Sequence, residues 1–111
     1  MNIQIPKYNT KNIELTIKNY TGEIDELNFV VEDCSKNTIF KKTLDDGIVL
    51  TDTNKYTLSI EADDTKDMST LLTYKFFIEI IIDKPTFVET KLVGDFVVTE
   101  SSTSLGEELN D

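Results

Sequence analysis

Arginine, histidine and tryptophan are missing from the 111-residue chain, and cysteine occurs once. Each absence removes a chemistry. Without arginine there is no planar guanidinium for bidentate phosphate recognition, and without histidine no side chain ordinarily exchanges protons near neutrality. Without tryptophan a common stacking surface for bases and sugars is gone. The lone Cys34 cannot close an internal disulfide, so stability must come from packing. It lies between Asp33 and Ser35 in an expected loop and, with no histidine to activate it, reads as an ordinary loop thiol. No apolar run approaches the roughly 18 to 20 residues of a membrane-spanning helix, and Met1 to Pro6 has neither a basic region nor an apolar signal core. The chain is therefore expected to start at Met1 and to be made in the cytoplasm.

Negative charge is what the sequence has in excess. Acidic residues number 21 against 11 basic ones, all lysine, for a net charge of −10. Nucleic acid and anionic membrane surfaces would repel such a chain, so neither is an expected partner. The length suits one domain with a real core.

The most apolar stretch, Thr73 to Asp83, puts Tyr74, Phe76, Ile78, Ile80 and Ile82 on one side at period two. Phe77 and Ile81 share the other side with Lys75, Glu79 and Asp83. A helix is the competing reading, but the density of β-branched and aromatic residues, with no cap ahead of them, favours a central strand. Around it the chain reads as short strands: Ile3 and Ile5 before Pro6, then Ile13, Leu15 and Ile17, then Leu27, Phe29 and Val31 with Val30 opposite. Thr38 to Thr43, Ile48 to Leu50 and Tyr56 to Ile60 follow, separated by turns at Leu44 to Gly47 and Thr51 to Asn54. Gly47 is placed for a positive φ. Tyr20 to Glu23 and Asp83 to Thr86 are further expected turns, and Gly94-Asp95 an expected bulge or bend between Phe87–Val93 and Phe96–Val98.

Glu61 to Leu72 is the one stretch where helix is expected: a single turn over Thr65-Lys66-Asp67, capped by Asp63 or Asp64, with Met68, Leu71 and Leu72 entering the core. Residues 1–99 form the expected domain. Residues 100–111 are serine- and acid-rich and read as a mobile tail. Leu105 and Leu109, four apart, would face one partner if that tail became helical.

In order and spacing, certain segments resemble the immunoglobulin-like domain of tailed-bacteriophage virion proteins, in particular the N-terminal domain of phage baseplate upper proteins. They are Leu27 to Val31, Ile39 to Thr43 before Asp46-Gly47-Ile48, Tyr56 to Ile60 with Asp63-Asp64-Thr65, Tyr74 to Ile80, and Val93 to Val98. The resemblance implies an all-β fold, an immunoglobulin-like antiparallel β-sandwich of 7–9 strands. Tyr74 lies two positions before Phe76, where an extracellular immunoglobulin domain would carry its second core cysteine. Tyr74 is then either a tyrosine corner, with Asp67 in the preceding loop, or simply an aromatic at a strand start. Phe29 and Phe76 would fill the centre in place of a disulfide. The expected core is Leu15, Ile17, Leu27, Phe29, Val31, Leu58, Ile60, Tyr74, Phe76, Ile78, Ile80 and Phe96.

The chemical candidates are few. Asp45-Asp46, Asp52, and Asp63-Asp64 with Asp67 offer oxygen ligands for Ca²⁺, but none has the spacing of a calcium-binding loop, so they read as turn and cap residues. Paired carboxylates for glycoside hydrolysis would need a cleft that short loops do not build, and no serine has the setting of a nucleophile. No catalytic, cofactor-binding or metal-binding residue is assigned, and no enzyme activity is expected. Three functional classes stay open. The first is a structural or assembly protein of a phage or phage-tail-like particle, present in multiple copies on a symmetric assembly, contacting other tail, baseplate or capsid proteins and located in the virion. The second is a cell-surface or carbohydrate-binding module using Tyr8, Tyr20, Tyr56 or Phe87. The third is an acidic intracellular inhibitor mimicking DNA.

Overall fold

Thr73–Ile82 forms a ten-residue strand, and its alternation does what the spacing predicts: Tyr74, Phe76, Ile78 and Ile80 are buried while Thr73 and Lys75 are exposed. The computed structural model describes residues 2–17, 24–82 and 87–100, with side chains from 93 onward in the last of these. In chain order the strands are β1 (Ile3–Pro6), β2 (Lys11–Thr16), β3 (Glu26–Glu32), β4 (Thr38–Leu44), β5 (Gly47–Asp52), β6 (Lys55–Ile60), β7 (Thr73–Ile82) and β8 (Phe87–Thr99). They form one eight-stranded sheet in the order β1-β8-β7-β3-β4-β5-β6-β2. The expected turns at 20–23 and 83–86 and the tail carrying Leu105 and Leu109 lie outside the described residues.

The sheet curls until it is nearly closed into a barrel. Its outer strands approach each other, with Lys11 Nζ of β2 donating to the Gln4 carbonyl of β1 at 3.1 Å. The expectation of an antiparallel architecture needs correcting, because the sheet is mixed. β1 runs parallel to β8, Ile3 opposite Phe96 through Pro6 opposite Thr99, and β4 meets β5 in parallel at Thr43–Gly47 and Leu44–Ile48. Parallel and antiparallel neighbours share the same two-residue side-chain period, so alternation could not separate them. β8 is likewise one continuous strand of 13 residues, without the break expected at Gly94-Asp95. The register shift falls between Ile78 and Glu79 of β7, and Gly94 sits directly opposite Phe76.

Every residue of the expected core is buried. Phe29 is its hub, with ring centroids 5.5 Å from Phe76, 6.0 Å from Phe40 and 6.4 Å from Phe96. Ile3, Ile5, Ile13, Ile48, Met68 and Val98 extend the same cluster. The expected helical turn is a 3-10 turn at Ala62–Thr65, begun earlier than expected and capped by Glu61, whose N–H donates to Asp64 Oδ2 at 2.7 Å. Met68 enters the core, but Leu71 is 91% exposed and Leu72 is also exposed. Both sit in the turn before β7.

Tyr74 is more than an aromatic at a strand start: its hydroxyl accepts a 2.8 Å hydrogen bond from the Ser69 N–H, five residues upstream. Asp67 is not the partner. Removing that acceptor in Tyr74→Phe strands the Ser69 N–H in a part-buried position and is expected to cost about 1–2 kcal/mol. Chemical denaturation of the variant beside the parent checks this, and an unchanged midpoint would deny the bond any structural role.

Lys42 is the one charged side chain aimed along the core side of β4. It shares the face of Phe40, lies 6.0 Å from that ring centroid, and pairs with Asp64 at 2.7 Å with both side chains largely covered. An inward-pointing charge of this kind discourages foreign strands from adding to an edge. Beside it Gly47 adopts φ +98°, as its position in the turn predicts, and a Cβ there would come within 2.5 Å of Lys42 Cδ.

Candidate functional site

Of the acidic loop candidates, Asp52 and Asp64 are occupied in local structure. Asp52 Oδ1 accepts from the Thr53 N–H, and Asp64 holds both Lys42 and the Glu61 N–H. Asp95 on β8 pairs with Lys75 on β7. Asp33 gathers the N–H groups of Ser35 and Asn37, and these bonds, that from Asn37 foremost, hold its carboxyl below the usual carboxylate range. Cys34 is exposed within that turn. Among the described residues no group of three or more acidic, cysteine or histidine side chains is arranged to hold a metal ion.

The aromatic candidates do not form a shared platform. Tyr56 is only 7% exposed on the core face of β6, and burial pushes its phenol above the ordinary value. Its strict alternation with Leu58 and Ile60 is the signal of that burial. Tyr8 is half exposed, with Lys7 Nζ 5.4 Å from its ring centroid, and its N–H donates to the buried Thr65 hydroxyl. Tyr20 and the Phe87 side chain fall outside the described residues, as do Leu105 and Leu109.

Two surface features remain. The first is a cleft of about 350 Å³ beside the β4–β5 corner, lined by Asp25, Glu26, Asn28, Lys41, Thr43, Leu44 and Asp45. Its floor is Asn28, buried in the centre of the sheet, whose amide donates to Glu79 Oε1 at 3.4 Å. The second is the far half of β5, Val49 to Asp52, where all side chains are exposed. Sequence reasoning read Ile48 to Leu50 as an ordinary strand. The missing signal was alternation: Ile48 is followed by Val49 and Leu50 with no polar residue between them.

No known family model matches the chain, and no curated protein matches it.

Proposed function

We propose that this chain is an immunoglobulin-like sandwich module acting as a non-enzymatic structural or assembly protein of a bacteriophage or phage-tail-like particle. The observation that carries the reading is the strand order joined to the Tyr74 hydroxyl. In this reading β8-β7-β3 correspond to strands G, F and C of an immunoglobulin fold, β4 to C′, and β2-β6-β5 to B, E and D. The β4–β5 contact spans only Thr43–Gly47 and Leu44–Ile48, residues four apart in sequence, which is what a corner between two layers would look like. Tyr74 bonds back across the turn before the seventh strand, as a tyrosine corner does. These two features support the immunoglobulin-like part of the reading, and the phage part rests on the sequence resemblance. A chain with no histidine or arginine, and with Asp33, Asp52 and Asp64 engaged in turns, suits a scaffold role better than catalysis.

Its partners are then other virion proteins, met in multiple copies on a symmetric assembly. Density-gradient purification of intact particles from an induced culture, followed by quantitative mass spectrometry, tests this. Co-migration at a fixed ratio to the major tail or capsid protein is the expected result, and the ratio separates a few-copy baseplate position from a many-copy tube or capsid position. Absence of the protein from the particles overturns the proposal.

A further inference from the structure

The free strand edges of this sheet are not equally guarded. β1 is only four residues long and ends in Pro6, and β2 has Lys11 bonded across to β1. β4 points Lys42 inward. Each is a known way of discouraging edge-to-edge pairing. β5 has no proline, no inward charge and no bond across to another edge; its one irregularity is a register shift against β6 between Leu50 and Asp52. Beyond Gly47 and Ile48, which meet β4, residues Val49 to Asp52 pair with β6 on one side and with no strand on the other among the described residues. Val49 and Leu50 are 53% and 56% exposed. Leu50 shares the face of the fully buried Ile48, so its exposure means that the core-facing side of the sheet is uncovered there.

We infer that the open edge of β5 is a docking site for an extended, lysine- or arginine-bearing segment of another protein, which adds as a further strand and covers Leu50. Main-chain hydrogen bonding along an unpaired edge supplies affinity in such additions, and alternate side chains supply selectivity. Charge selects the occupant. The cleft at the corner where β5 begins carries Asp25, Glu26 and Asp45 against Lys41 alone, and Asp52 closes the far end of the strand. A basic side chain every second residue would enter that cleft while the apolar residues between them meet Leu50. A second copy of the chain is the poorer occupant, since it brings the same carboxylates to the edge and a further net charge of −10. The inference does not depend on where the protein resides.

The test uses the full chain and a synthetic peptide of about ten residues alternating lysine and valine, with a glutamate–valine peptide as control. Amide exchange followed by NMR is expected to slow at Val49 to Asp52 when the lysine peptide is added, and not with the control. Raising ionic strength from about 0.05 M to about 0.5 M should weaken binding strongly. Leu50→Lys places an inward charge on the exposed edge and is expected to weaken binding about tenfold or more. Asp45→Lys does the same through the cleft, with the fold checked by the unchanged spectrum of the core. No binding of the lysine peptide, equal binding of the control, protection elsewhere on the sheet, full binding by Leu50→Lys, or a β5-mediated dimer of the free chain would each overturn the inference.

Discussion

Replacing Phe76 with alanine is expected to remove about 3–5 kcal/mol of stability, a large part of the roughly 5–15 kcal/mol available to a domain of this size. The residue is fully buried, and its ring touches the Phe29 hub at 5.5 Å. Across the ladders it faces Val31 on β3 and Gly94 on β8. A glycine neighbour has no side chain to move into the vacated volume, so the hole would persist on that side and the cost should lie toward the upper end. Urea unfolding gives the number. Val93→Ala, one residue from Gly94 but exposed, is the matched control and should stay within about 0.5 kcal/mol of the parent. If Phe76→Ala shifted the midpoint no more than that control, β7 would not be the centre of the core.

The second large effect is expected at Gly47. Alanine there must hold φ +98°, outside the range that L side chains accept readily, and its Cβ must displace Lys42 Cδ from 2.5 Å. Lys42 cannot simply swing away, because its ammonium is held by Asp64. Backbone strain and the disturbed ion pair together should cost about 2–3 kcal/mol. The two parts separate in a double-mutant cycle. In a Lys42→Ala background the 2.5 Å collision with Cδ is gone, leaving the backbone penalty and a 3.1 Å contact with the Cβ at 42, so the cost of Gly47→Ala should fall by about 1 kcal/mol. Strict additivity would show that the glycine is needed for its backbone alone.

These residues also mark what the sequence discloses and what it withholds. Strands with one covered face, such as β7, β6 and β2, could be read from period-two alternation, because one side of each meets the core and the other is more open to water. Gly47 was readable for a different reason, since an Asp-Asp-Gly turn calls for a left-handed position. Strand neighbours were not readable. The direction of β1 beside β8 depends on contacts more than ninety residues apart, which local pattern does not encode. The inward Lys42 was invisible as well, because its partner Asp64 comes from the far side of β6. Leu71 and Leu72 misled in the opposite direction: apolar residues between a buried Met68 and a buried Tyr74 look like core, yet the turn that bonds Ser69 to Tyr74 throws them outward. As for function, the acids and tyrosines could be listed from sequence, but the exposed half of β5 appears only once β4 is seen to leave it.

The parallel pairing of β1 with β8 has a consequence for how the molecule is made. During synthesis β1 emerges first and its neighbour last, and β8 also separates β1 from β7. Until Phe96 to Thr99 have left the ribosome, Ile3 and Ile5 have no ladder to join and the long flank of β7 stands open. Closing so long a loop is slow, and contacts of this range put the domain among the slower folders for its size. The nascent chain therefore waits with an incomplete sheet, the stage at which unpaired apolar strands are most exposed to aggregation and to chaperones.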